Sequence, residues 1–220
     1  MRNSLILVVA MVLFATGCNS ELALTRPVHH VAVQRIQGDI GYYDYNPVLG
    51  GGLINATSNA IREDKLKKAF AQEGFSYKSE LTQMLQAALE RTGKTVVWID
   101  KDQATPAEPD SVLTIKTLFA GYWKRYDGFD HEHVPAMVVE MKLVDREGKK
   151  LCVQRLVSGE DERMSFLSAY RFKGEYDPLL EAQSGRMLQG MRQTMQQFAD
   201  AVADELGDKK PAGQVARVEP

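Results

Sequence analysis

The run Met137–Ser158, MVVEMKLVDREGKKLCVQRLVS, decides the fold. Met137 to Asp145 and Lys150 to Ser158 are both β-rich, and the tetrad Arg146-Glu147-Gly148-Lys149 between them is a turn signal, so the stretch reads as an antiparallel hairpin. Upstream, Ala136 to Arg146 and Ser111 to Trp123 read as strands of the same kind. Thr95-Val96-Val97-Trp98-Ile99, β-branched and aromatic and bounded by Gly93 and the Pro106/Pro109 loop, reads as another. Val28 to Ile36 places Val31 and Val33 on one side and reads as a first strand.

Three helices complete the pattern. Leu53 to Gln72 carries Leu53, Ala56, Ala60, Ile61, Ala69 and Phe70 near helical spacing and stops at Gly74. From about Ser79, Leu81, Met84, Leu85, Ala88 and Leu89 fall at i, i+3, i+4, i+7 and i+8, ending at Gly93. Pro178 to Leu206 sets Leu188, Met191, Met195, Phe198 and Val202 on one stripe. The order implies a single α+β domain, residues 28–206, with helices packed on a mostly antiparallel sheet.

Composition narrows the function classes. The 220 residues are 44% hydrophobic and 25% charged, an ordinary globular balance that excludes a collagen-like or multi-span membrane chain. Lys plus Arg number 27 against 29 Asp plus Glu, a net charge of -2. No overall positive field exists to hold nucleic acid. Two cysteines, Cys18 and Cys152, are too few for a disulfide framework. Cys152, alternating with polar neighbours on an expected strand, reads as a small buried hydrophobe.

The amino terminus carries an address. Arg2 precedes an apolar run from Leu5 to Phe14, which ends in Ala15-Thr16-Gly17 before Cys18, the three-part layout of a secretory signal. About ten apolar residues make roughly 15 Å of helix, half of a bilayer's hydrocarbon core, so the segment reads as removable and not as a span. Ala15-Thr16-Gly17-Cys18 resembles the lipobox of bacterial lipoproteins, with Ala15 where leucine is commonest. The resemblance implies cleavage between Gly17 and Cys18, a diacylglycerol thioether on Cys18 and amino-terminal acylation. Asn19 follows the cysteine in place of an inner-membrane aspartate, which in this class implies the outer membrane, with the body facing the periplasm. On this reading residues 1–17 are the signal peptide, 18–27 a lipidated tether and 207–220 a disordered tail.

Candidate chemistry is sparse. Asp127-Gly128-Phe129-Asp130-His131-Glu132-His133 is the densest group of metal-ligating residue types, and zinc needs three or four converging. His131 and His133 share one face if extended, so Asp127 or Asp130 could complete a site; a hydrated polar hairpin loop accounts for the same residues, and we expect no metal and no cofactor. Gly50-Gly51-Gly52 opens a helix without the residues of a phosphate loop or a dinucleotide fingerprint. No Gly-x-Ser-x-Gly elbow, His-Glu-x-x-His or cysteine beside a base is present, so the expected protein is not an enzyme. The rival reading is a metal-binding or hydrolytic envelope protein using the Asp127–His133 loop. Tyr42, Tyr43 and Tyr45 fall between Gly38-Asp39-Ile40-Gly41 and Asn46-Pro47, an expected loop, where aromatics either anchor a partner or fill a core edge.

The strand, paired helices, hairpin and final helix, with Leu49-Gly50-Gly51-Gly52 and Met141 to Lys149, resemble the small outer-membrane lipoproteins grouped around the curli-secretion lipoprotein and the TolB amino-terminal domain. The resemblance implies a binding or assembly role, with an envelope protein or further copies of the chain as partner and the bilayer held through Cys18.

Overall fold

A computed structural model describes residues 28–44, 53–100, 109–127, 130–160 and 162–207. Its spine is one long antiparallel hairpin of β4 (Ser111–Asp127) and β5 (Asp130–Asp145), paired from Ser111 opposite Asp145 to Asp127 opposite Asp130 with one register shift between Thr117 and Phe119. Shorter strands line both flanks. On the β4 side, β1 (His30–Gln34) runs parallel to residues 111–113, Gln37 bridges Lys116, and β2 (Gly41–Asp44) runs parallel to residues 121–124. On the β5 side, β6 (Lys150–Val157) pairs with residues 138–144 and β7 (Phe172–Lys173) with residues 132–133. Outside β1 lies β3 (Thr95–Ile99), parallel to it, giving the order β3-β1-β4-β5-β6.

The fold is therefore α+β with a mostly antiparallel sheet, as the Met137–Ser158 hairpin implies, and the turn after Asp145 falls where the Arg146–Lys149 tetrad places it. Two expectations need correction. The segment from Asp127 to His133 is not a polar loop: apart from the two residues between the strands, it forms the paired ends of β4 and β5. The tyrosine-rich segment is not wholly a loop either, since Gly41–Asp44 is β2. Both stretches are polar and lack a hydrophobic alternation, yet each is held by backbone hydrogen bonding to a neighbour already in place.

Proline in β5 shows why this pairing is tolerated. The backbone of Met137 faces outward, exchanging bonds with Ser158, and Pro135, two residues earlier, faces the same way. It points into the interval between β7 and β6, where no described strand pairs, so its missing N–H breaks no ladder.

The helices α1 (Leu53–Gln72), α2 (Tyr77–Arg91) and α3 (Tyr176–Leu206, kinked at Gln183) bury their apolar side chains with one sheet face. The expected stripe on α3 is real: Leu188, Met191, Met195, Phe198 and Val202 are each at most 1% exposed, and burial of such side chains stabilises by about 1.5–3 kcal/mol apiece. Tyr122 joins this face and donates its hydroxyl to the Met187 carbonyl at 2.8 Å. On α1 the expected stripe is only half right. Leu66 and Phe70 are fully buried, whereas Ala56, Ala60 and Ile61 are exposed. Ala32, Ile99 and Val112 form a second, smaller apolar cluster apart from the main core.

The attachment of β2 depends on Gly121. Its φ is +148°, and a Cβ added there would sit 1.8 Å from the Gly41 carbonyl oxygen. At Gly148, φ +79°, an added Cβ meets nothing within 4 Å. Gly121→Ala is therefore expected to lose on the order of 3 kcal/mol or more through displacement of β2, against about 1 kcal/mol for Gly148→Ala, whose cost is backbone conformation alone. Urea unfolding of the two variants measures the contrast; equal losses would show that β2 does not need this close approach.

Candidate functional site

The tip half of the hairpin, flanked by β2 and β7, gathers most of the polar and aromatic residues singled out in the sequence. Successive side chains on a strand face opposite sides, so Tyr42 and Tyr43 separate. Tyr42 is 3% exposed and lies with the helix-packed core, its ring 4.4 Å from that of Tyr176 at the start of α3. Tyr43 is 40% exposed and turns to the opposite face, where its ring lies 6.3 Å from Phe119 and 6.0 Å from Trp123. Phe119 and Trp123 stand 6.2 Å apart, which closes an aromatic triangle outside the main core. Tyr45, Gly17 and Cys18 lie outside the described residues.

Beneath Tyr42 is a hydrogen-bonded chain. Its hydroxyl is 3.1 Å from His133 Nδ1, and His133 Nε2 is 3.0 Å from the Gly174 carbonyl oxygen. His131 Nε2 reaches that same oxygen at 3.1 Å. A carbonyl only accepts, so both Nε2 atoms carry protons; neutral His133 then accepts at Nδ1, and Tyr42 donates. Burial pushes the His133 imidazole down to about 4, and the same burial raises the Tyr42 phenol above its ordinary value. His133 is thus neutral above about pH 4 with both nitrogens engaged, and the chain fastens the β7–α3 corner, through Gly174, to β5 and β2.

Asp44 ends β2 in a second cluster. Its carboxylate accepts from Arg62 at 2.9 Å and from the Tyr126 hydroxyl at 2.7 Å, with Lys124 at 3.4 Å, while its backbone and the Asn59 amide exchange two bonds at 3.2 and 3.3 Å. Arg62 also lies 5.3 Å over the Tyr42 ring. These contacts tie α1 to β2 and β4. Glu132, on the other face, pairs with Arg125 at 3.5 Å and Arg171 at 3.6 Å.

The sequence expectation that His131 and His133 share a face holds, and the point they share is Gly174. Among the described residues no three His, Cys, Asp or Glu side chains gather as a metal group, and the side chains of Asp127 and Asp130 lie outside the description. Gly174, Arg62, Asp44 and Lys124 were not singled out by the sequence reading, whereas Tyr126 and Tyr176 stand among the aromatic residues it weighs between an interface and a core edge. The adjacent tyrosines of Gly41-Tyr42-Tyr43-Asp44 carried the available signal, since on any strand one of them must face inward.

Two measurements probe the chain. Tyr42→Phe leaves His133 Nδ1 buried without a donor and is expected to cost about 1–3 kcal/mol in urea unfolding. Because His133 binds its proton less readily folded than unfolded, stability is expected to fall as pH drops from about 6.5 toward 4, by up to about 3 kcal/mol from this group. His133→Gln should flatten that part of the profile, and an unchanged profile would assign the loss to other groups.

No family model matches the chain, and no curated protein matches it in sequence. In structure it is similar to a minor lipoprotein from Acinetobacter baumannii, at 10% identity and a TM-score of 0.43, covering 82% of this chain and 92% of that one. It is also similar to a neuraminyllactose-binding hemagglutinin homolog from Helicobacter pylori, at 13% identity and a TM-score of 0.39, covering 83% of this chain and 87% of that one. Likenesses at this level assign neither a family nor a function.

Proposed function

We propose that the chain is a lipid-anchored binding or assembly lipoprotein of the outer membrane, facing the periplasm and acting without catalysis. The observation that carries this is Ala15-Thr16-Gly17-Cys18 after a single short apolar run, followed by Asn19. Acylation of Cys18 supplies two signals or more for membrane attachment, where one chain alone holds only reversibly. No helix among the described residues is long and apolar enough to cross a membrane, which is compatible with attachment by lipid. The surface offered to an envelope protein partner is the Tyr43, Phe119 and Trp123 triangle, since aromatics grouped on one exposed face supply large contact area at low entropic cost.

Labelled palmitate is expected to enter the parent chain and not Cys18→Ser, which should leave the membrane fraction; acylation of the serine variant would defeat the reading. A second comparison separates the two tyrosines. Tyr43→Ala should leave unfolding within about 1 kcal/mol and weaken capture of the crosslinked envelope partner, whereas Tyr42→Ala should lose about 3 kcal/mol or more as a core truncation. Equal stability losses would place both tyrosines in the core and remove the proposed docking face.

A further inference from the structure

A cleft of about 670 Å³ opens where the parallel strands β1 and β3 end, between the residues that follow them and the first turns of α2. The volume is that of a small-molecule site.

Its lining selects a chemical class. Trp98 is half-buried on one wall, and its Nε1 donates to Gln86 Oε1 at 3.2 Å, which fixes the ring. Apart from Trp98, Ile36 is the one hydrophobic side chain among the described lining residues, too little for a lipid tail or an apolar peptide. Ser79, Thr82 and Gln83 line the α2 side and make no side-chain hydrogen bond among the described residues, so their donors and acceptors are open to a ligand. Arg35 and Asp100 neutralise each other at 2.8 Å across the mouth. Lys78 has no such partner among the described residues and leaves the described lining one positive charge. It also lines an adjoining cleft of about 340 Å³, so a ligand longer than one ring passes it.

Among the described lining residues, an aromatic wall, neutral hydroxyl and amide groups and a single unpaired cation together match a sugar that bears an acid. We propose that this cleft binds an anionic oligosaccharide, with a sugar face against Trp98 and its acidic group at Lys78. The proposal is independent of the anchoring of the chain and of the Tyr43 face.

The test is titration of the full chain in detergent with trigalacturonate, with maltotriose as the neutral trimer and glucose 6-phosphate as a phosphate-bearing sugar, following the Trp98 indole Nε1–H by NMR. Trigalacturonate is expected to move that resonance saturably, and maltotriose to bind at least roughly tenfold more weakly, the size of one charge-assisted contact. A comparable shift with glucose 6-phosphate broadens the acid to phosphate; none with it restricts the site to carboxylate sugars and supports the narrower form. Lys78→Ala, an exposed position in the first turn of α2, should weaken trigalacturonate roughly tenfold, and Lys68→Ala, exposed on α1, should not. No saturable shift up to about 20 mM trigalacturonate, roughly twentyfold above a millimolar Kd, overturns the proposal. Equal binding of maltotriose, or equal effects of the two lysine variants, does so as well.

Discussion

The register between β4 and β5 is the constraint on which the rest of the structure depends. The shorter strands are too brief to stand alone, and all but β3, which pairs with β1, find their place by pairing with this ladder: β1 and β2 along β4, β6 and β7 along β5. The helices then cover the face on which Leu113, Ile115, Ala120, Tyr122, Met137, Val139, Met141 and Leu143 stand together. A slip of one residue would exchange that face for the opposite one.

An irregularity inside the ladder sets the division of labour at the tip. Between Thr117 and Phe119 the register shifts, so the residues facing the helices change from Leu113, Ile115 and Thr117 to Ala120 and Tyr122. Phe119 and Trp123 consequently turn to the other face, where Tyr43 joins them through the pairing of β2. The same pairing delivers Tyr42 inward to His133. One extra residue thus separates the aromatic triangle from the buried chain.

This accounts for what the sequence made legible. The Met137–Ser158 hairpin, the strand Thr95–Ile99, α1 from Leu53 to Gln72 and the apolar stripe of α3 all follow from local periodicity, and each is present. The parallel placement of β1 beside both β3 and β4 does not follow, because strand neighbours are a long-range property. Nor does the extension of the hairpin to Asp127 and Asp130, whose polar residues carry no hydrophobic pattern and are ordered by their partners across the ladder. The shared orientation of His131 and His133 was readable from their spacing; their common acceptor, a carbonyl 41 residues further on from His133, was not.

The length of the spine has a mechanical consequence. β4 has 17 residues, a reach of roughly 50 Å at about 3.3 Å per residue, and β1 enters beside its first residues while the turn to β5 closes its last. A force applied through Val28 acts at one end of this rod, parallel to the strands, and must shear β1 from β3 and β4 together before the hairpin itself bears load. The tip, with Tyr43 and Trp123 near it, stands at the far end of β4 from Val28.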